Sequence, residues 1–464
     1  MRSAATNNCR TDNDETCRRW EIRNAPRKRT RGAAIAGIVA ITASLLGGAV
    51  FAPPAHAASP TIVTLTFDDG NDNQFAAAAT LKAAGLQGTF FVSSGYLGSP
   101  TYMTTAQVQA LQADGHEIGG HTVTHPDLAG LGADEAKREV CNDRVNLTNL
   151  GLSIENFAYP FASSSPAAAA IVEDCGYNSA RGLGDVLSVG PGYEGIPLAA
   201  ELPPTDLYYT GAPDQVESHW TLDDLKRIVN QSAPDGGWVQ ITFHNIGRSG
   251  DSLSISKALY QQYVNWLRDR QADGSIQVKT VREVIGGTTQ PVVPGPAPSP
   301  PITTGNLIQN PGLETAGTVP GTPRCWSQAG YGTNSPAFTT VSPGRTGNVA
   351  QRMTMTGYVD GDAKLLPTLD MGECAPVGTA GKTYTLRAWY QSTAPTQFEL
   401  YYRTGAGTWN YWTASPFMEA SSSWVQGSWT SPPLPAGATA VSYGLNLISN
   451  GVLTTDDYEL VSAG

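Results

Sequence analysis

Thr61-Ile-Val-Thr-Leu-Thr-Phe67-Asp68-Asp69-Gly70 is a β-branched, largely apolar run that stops at two adjacent carboxylates. The run fits a buried strand, and the Asp-Gly pair marks the turn where the strand ends. Neighbouring residues at a strand end point to different sides, so Asp68 and Asp69 can take different roles. Working outward, Gln74 to Ala84 is an Ala-rich helical pattern closed by Gly85, and the cycle then repeats. Thr89 to Ser93 and His116 to Gly119 read as strands, Thr105 to Ala113 and Asp134 to Leu150 as helices. Leu222 to Asn230 (helix), Trp238 to His244 (strand), Lys257 to Arg270 (helix) and Gln277 to Thr280 (strand) continue the series. Alternating β and α units predict an α/β fold with a parallel sheet, open or closed into a barrel. In such barrels the functional groups sit at the carboxyl ends of the strands.

Two further stretches place reactive side chains at predicted strand ends. Gly119-Gly-His121-Thr-Val-Thr-His125-Pro126 sets two histidines four residues apart; on one helical turn they would face the same side and share a metal. Trp238-Val-Gln-Ile-Thr-Phe-His244 is a near-continuous apolar strand that ends in a histidine, a position suited to acid–base work. An aspartate with His-x-x-x-His makes a three-ligand site with open positions, the arrangement a hydrolytic metal needs.

The whole chain has 464 residues, enough for two or more domains. Its 29 basic against 40 acidic residues argue against a nucleic-acid partner. Arg27, Lys28, Arg29 and Arg31 precede the apolar stretch Ala33 to Ala52, and Ala55-His-Ala57 fits a cleavage site, so residues 1–57 read as an export signal and the mature protein as secreted, with no stable membrane span. Residues 288–305 are proline-rich and read as an extended, semi-rigid linker between a domain at 58–287 and another at 306–464. The five histidines beyond the signal precede this linker, and six of the ten tryptophans follow it. Acid–base chemistry therefore belongs upstream and stacking surfaces downstream. Four cysteines remain after Cys9 and Cys17 leave with the signal. Four cysteines allow three pairings; Cys141 with Cys175 and Cys325 with Cys374 keeps each bridge inside one compact unit.

The three motifs, together with Phe157-Ala158-Tyr159-Pro160-Phe161, resemble the polysaccharide deacetylases of carbohydrate esterase family 4 (the NodB-type domain) from Pro60 to Gly287. The resemblance implies an irregular, incomplete (β/α) barrel. It implies that Asp69, His121 and His125 hold zinc or another divalent transition metal, that Asp68 is the general base and His244 the general acid, and that the Phe161 N–H stabilises the oxyanion. One departure is Ala158, where many relatives carry an arginine that orients the catalytic aspartate; Arg181 is the candidate replacement. The aspartate that tunes the acid histidine has no fixed place, and Asp206 and Asp223 are the candidates. The implied activity is removal of N-acetyl groups from an acetylated polysaccharide or oligosaccharide, chitin-type or peptidoglycan, by a monomer. O-acetyl ester hydrolysis on acetylxylan and an inactive, wall-associated barrel are the alternatives.

Downstream, Lys382 to Tyr390 and Gln397 to Tyr402 largely alternate with period two and predict an antiparallel β-sandwich. Asn306-Leu-Ile-Gln-Asn-Pro-Gly-Leu-Glu314 and Asp456-Asp-Tyr-Glu-Leu460 resemble the two edges of jelly-roll carbohydrate-binding modules. That resemblance implies a structural calcium at Glu314 and Asp457. Tyr401, Tyr402, Trp409, Tyr411 and Trp412 are the expected sugar platform. As a targeting module, the sandwich would be dispensable for soluble substrates.

Overall fold

Strand β1 (Thr61–Phe67) is buried at six of its seven positions and is the centre of an all-parallel sheet of order β5-β4-β3-β2-β1-β6. The computed structural model describes residues 60–463 except 191, 193–194 and 233–235; the expected export signal and cleavage site lie outside them. The remaining strands are β2 (Thr89–Val92), β3 (Glu117–Gly120), β4 (Ile154–Ala158), β5 (Ser179–Arg181) and β6 (Trp238–Phe243). After the two-residue strands β7 (Asn245–Ile246) and β8 (Ser254–Ile255), β9 (Ile276–Val278) also pairs with the start of β1. Between them run helices α1 (Gln74–Ala83), α2 (Thr105–Ala113), α3 (Ala133–Asn149), α4 (Pro166–Asp174), α5 (Leu222–Ser232), α6 (Lys257–Ala272) and α7 (Val281–Ile285). Local chemistry fixes several helix starts. Thr104 and Gln107 form a capping box on α2, and Ser165 caps α4 ahead of Pro166 at its first turn.

A single side chain shows that this sheet is curled. In a flat sheet, β5 and β1 would lie four strand spacings apart, about 19 Å. Yet Arg181 at the end of β5 bonds Asp68 after β1 at 2.5 Å and Thr242 Oγ1 on β6 at 2.9 Å. The two ends of the strand order therefore meet across the interior, as in an incomplete barrel.

The expected upstream elements all occur, with ends shifted by a few residues. Elements β4, α4 and β5 had no periodic signature, because β5 is three residues long and β4 is buried at every position. Both expected disulfides are present; Cys141–Cys175 ties α3 to the end of α4, and Cys325–Cys374 lies in the β-domain.

Residues 306–463 form two five-stranded antiparallel sheets. One has the order β10 (Trp326–Tyr331), β13 (Asp362–Pro367), β18 (Ala438–Leu447), β15 (Phe398–Thr404), β16 (Trp409–Ala414). The other runs β11 (Ser335–Val341), β12 (Ala350–Thr356), β19 (Gly451–Ser462), β14 (Tyr384–Ser392), β17 (Ser421–Thr430). Burial alternates strictly along β14, as period two demands. The two edges close on each other, with Leu307 N–H donating to Leu460 O at 2.8 Å.

The linker, expected to be extended and semi-rigid, is tied to α3. It has no secondary structure, but Arg144 on α3 donates to Gln290 O and Pro291 O, both at 2.7 Å, and Gly295 N–H donates to Asn142 Oδ1 at 2.9 Å. Proline removes donors and leaves carbonyls exposed; the buried guanidinium of Arg144 takes up two of them. Among the described residues, no helix is long and apolar enough to cross a membrane.

Candidate active site

Parallel strands bring the separated motifs together by aligning their carboxyl ends. Asp68 and Asp69 follow β1, His121 follows β3 and His244 follows β6, while Ala158 and Arg181 end β4 and β5. The two histidines do not lie on a helical turn. Residues 121–125 form a loop in which Thr122 (φ 67°) and His125 (φ 58°) are left-handed. Of the six such non-glycine residues among the described residues of this domain, five surround the site: Asp69, Thr122, His125, Phe161 and Ala162. Each such conformation costs on the order of 1–3 kcal/mol and persists only where its surroundings over-determine it.

Those surroundings are identifiable. Asp143 of α3 accepts the His121 N–H at 3.0 Å and the Ser94 N–H at 2.9 Å. Glu139, one turn earlier, accepts the Thr124 N–H at 2.8 Å and its hydroxyl at 2.6 Å. Burial pushes Glu139 up to about 7 and Asp143 up to about 8. Gly120 makes the approach possible, because a β-carbon there would fall 2.8 Å from Asp143 Oδ2 and 2.1 Å from the Tyr177 hydroxyl.

The donor set fits a metal. His121 Nδ1 lies 2.7 Å from Ala158 O, so this nitrogen carries the proton and Nε2 presents its lone pair. Asp69 Oδ1 lies 3.6 Å from His121 Nε2 and 3.3 Å from His125 Nε2. A tetrahedral zinc with bonds near 2.0–2.1 Å separates its ligand atoms by about 3.3–3.4 Å. Burial alone would raise Asp69, but the two imidazoles and His244 hold it well below the ordinary carboxylate value. Burial likewise opposes charge on His121, and Asp69 and Asp68 more than offset it, so its proton affinity is raised.

Asp68 is buried beside this group. Its Oδ2 meets Arg181, and its Oδ1 has no hydrogen-bond partner among the described residues. Two buried amides that the sequence did not single out pin the strand ends. Gln74 Nε2 donates to Asp68 O at 2.6 Å and to His244 O at 2.8 Å, and Asn71 Nδ2 donates to Asp69 Oδ2 and His244 O, both at 3.2 Å. Their only sequence signal was position, within one turn after the Asp-Asp pair. His244 is buried with Nδ1 unpartnered among the described residues, and burial lowers its proton affinity despite the two aspartates. Asp206 is exposed and caps Tyr208 N–H, and Asp223 sits in the first turn of α5, so neither expected tuning partner bonds that nitrogen. Phe161 stands at the rim, 69% exposed, with its ring edge-on to His125 at 4.6 Å.

Residues 55–180 match the family model described as polysaccharide deacetylase. A chitin deacetylase of a Pestalotiopsis species is 32% identical over 124 residues, which are 26% of this chain and 40% of that protein. A peptidoglycan-N-acetylglucosamine deacetylase of Bacillus cereus is 33% identical over 100 residues, 21% of this chain and 35% of that protein. The chain thus spans less than half the length of these curated relatives. Among solved structures, the Xyl-CE4 domain of a multidomain xylanase from the hindgut metagenome of Trinervitermes trinervoides is 14% identical, covering 50% of this chain and 95% of that chain at a TM-score of 0.33.

The matched span contains Asp68, Asp69, His121, His125, Ala158 and Phe161, whereas Arg181 and His244 lie beyond it. Ala158 pairs in register with Arg181. The two side chains therefore share a face of the sheet, and the guanidinium from the next strand enters the space that a small residue at 158 leaves open. Arg181 is anchored there by Thr242 Oγ1 and by the face of Phe91, 5.4 Å from its centroid.

The β-domain departs from expectation at two places. Asp457 bonds the Arg345 guanidinium at 2.7 Å and the Thr346 hydroxyl at 2.6 Å, and Glu314 Oε1 accepts the N–H groups of Asn348 and Val349. A guanidinium thus meets the carboxylate to which a calcium had been assigned. The expected platform is also split. Tyr402 and Trp412 pack on the sandwich core, Trp409 donates its indole N–H to Asp370 O at 3.1 Å, and Tyr401 and Tyr411 stand on the opposite sheet face, Tyr411 exposed.

Proposed function

We propose that the protein is a secreted, metal-dependent deacetylase that hydrolyses N-acetyl groups of an N-acetylated glycan, chitin-type oligomers or peptidoglycan. The observation that carries this reading is the Asp69–His121–His125 triangle, its ligand atoms within 4.8 Å of one another, beside a buried carboxylate with one unbonded oxygen. The names of the curated relatives support the same substrate class. The domains follow the sequence boundaries: export signal 1–57, catalytic domain 58–287, linker 288–305 and β-domain 306–464.

A divalent metal held by Asp69, His121 and His125, zinc or a similar ion, supplies Lewis acidity to the acyl oxygen and to water. Asp68 Oδ1 takes the proton of the attacking water, while Arg181 on Oδ2 holds that carboxylate in orientation. The Phe161 N–H, presented by a left-handed residue at the rim, stabilises the developing oxyanion. His244 protonates the amine nitrogen as the carbon–nitrogen bond breaks, and acetate and a free amine leave. The Arg181–Asp68 contact supports an active site over the inactive-barrel alternative, which rested on Ala158. The deciding experiment is acetate release by the purified protein from chitin oligomers, peptidoglycan and acetylxylan in parallel. Release from an N-acetylated glycan is the expected result. Release from acetylxylan alone would reassign the activity to an esterase, and release from none would overturn the proposal.

A further inference from the structure

One stripe of α3 carries four buried ionisable side chains: Glu135, Arg138, Glu139 and Asp143. Their spacing places them along one face of the helix. Buried polar groups require partners, and these four have partners in two different domains. At the far end, Asp143 and Glu139 hold the metal-ligand loop through the N–H groups of His121 and Thr124, and the Glu139 carbonyl accepts the Val123 N–H at 3.1 Å. At the near end, Glu135 Oε1 accepts the N–H of Met371 in the β-domain at 2.5 Å, Glu135 Oε2 bonds Arg138 at 2.7 Å, and Arg138 reaches Glu373 at 3.5 Å.

The β-domain segment that makes these contacts is stiff. Asp370 accepts the N–H groups of Gly372, Cys374 and Ala375. Its carbonyl accepts from Arg403 and from the Trp409 indole, and Cys374 is bridged to Cys325. Trp409, an expected sugar contact, is thus a brace for this segment. A second contact falls on the ligand loop itself. Gly407 (φ 97°), in the turn between β15 and β16, sits so close that a β-carbon there would lie 3.0 Å from Val123 Cγ1, and one on Gly95 would lie 3.1 Å from Thr408 Cγ2.

We infer that the β-domain is a working part of the metal site: docked on α3 and on Val123, it fixes the strained His121–His125 loop in its ligating conformation. The inference rests on the reading of Asp69, His121 and His125 as a metal site, and it reverses the expectation of a dispensable targeting module. The loop is held from the barrel side by Glu139 and Asp143 and from outside by the Gly407 turn. Loosening the outer wall releases left-handed Thr122 and His125 to other conformations, so the metal is bound less tightly. Glu135, Gly407 and Met371 are positioning residues in this arrangement; none reaches the reacting atoms.

The test uses the full mature chain. Zn2+ affinity is measured by competition with a chromophoric chelator, and backbone order at residues 121–125 by amide hydrogen exchange, for wild type, Gly407→Val, Glu135→Ala and the exposed control Val359→Ala. Gly407→Val presses on Val123, whereas Glu135→Ala loosens the dock without touching the loop or the turn. The expected result is at least a tenfold loss of Zn2+ affinity and faster exchange at 121–125 in both variants, with kcat falling on a soluble chitin oligomer and the control unchanged. If Gly407→Val fails to fold by circular dichroism, Glu135→Ala decides the matter. Wild-type affinity and exchange in the folded variants would overturn the inference, as would a loss confined to insoluble polymer. Absence of Zn2+ binding by the wild type itself would instead remove the metal-site reading.

Discussion

Arg181 bonds Asp68 at 2.5 Å from the strand position that pairs with Ala158, so a guanidinium from β5 reaches the aspartate past the small side chain on β4. Breaking such a buried pair by removing one partner costs about 3–5 kcal/mol. Arg181→Ala also frees Asp68 from the group that orients it, and is expected to lower kcat roughly 100-fold, about 2.7 kcal/mol of barrier, while metal content is retained. Adding Ala158→Arg to that variant should recover at least about tenfold, because the new guanidinium starts from the same face of the sheet. Steady-state acetate release and metal analysis on the single and double variants check both statements, and an inert double variant would show that the two positions are not interchangeable.

Asp68 and His125 should separate chemistry from metal binding. Asp68→Asn removes the proton acceptor but none of the three ligand groups, so turnover is abolished and bound metal stays. His125→Ala removes one of three ligands and loses both. Metal stoichiometry by elemental analysis, read beside acetate release, distinguishes them; near-normal turnover by Asp68→Asn would mean that the base lies elsewhere.

Gln74 holds the carbonyls of Asp68 and His244 with one amide nitrogen. Gln74→Ala removes the short bond to Asp68 O, leaving it only a 3.5 Å contact from Asn71, while His244 O keeps its Asn71 bond, so the expected cost is that of one buried acceptor, about 1–3 kcal/mol. The expected outcome is a lower urea midpoint together with reduced kcat at unchanged KM, since base and acid drift apart while the open substrate face is untouched. A lower midpoint with wild-type kcat would make Gln74 a purely structural residue.

Asp370 predicts a pH dependence of the β-domain dock. Burial and the neighbouring Glu135 push its carboxyl up to about 6. A carboxyl whose folded pKa is raised stabilises the fold fully below its unfolded value near 4, and that contribution is lost as pH rises through about 6. Between pH 4 and pH 7 the wild type should lose on the order of 2–3 kcal/mol more stability than Asp370→Asn. Urea unfolding of both proteins at the two pH values measures the difference, and parallel pH profiles would rule Asp370 out as its source.

The sequence alone determined the strand-end chemistry. An apolar β-branched run ending in Asp68-Asp69, a His-x-x-x-His segment and a strand ending in His244 are each legible because burial on both faces imposes continuous hydrophobicity up to the residue where the strand stops. The two disulfides and the sandwich were legible for similar local reasons. What only the tertiary structure decided is which distant groups meet. Arg181 reaches Asp68 because the sheet curls; the His121–His125 loop is shaped by Glu139 and Asp143 rather than by a helical turn; and Arg345, in the loop before β12, reaches Asp457 because β12 pairs with the last strand. These contacts depend on strand order and curvature, which no local pattern encodes. The docking of Gly407 on Val123 is of the same kind. A glycine in a turn reads as a turn, and only the packed structure shows that its missing side chain leaves room for the loop that carries His125.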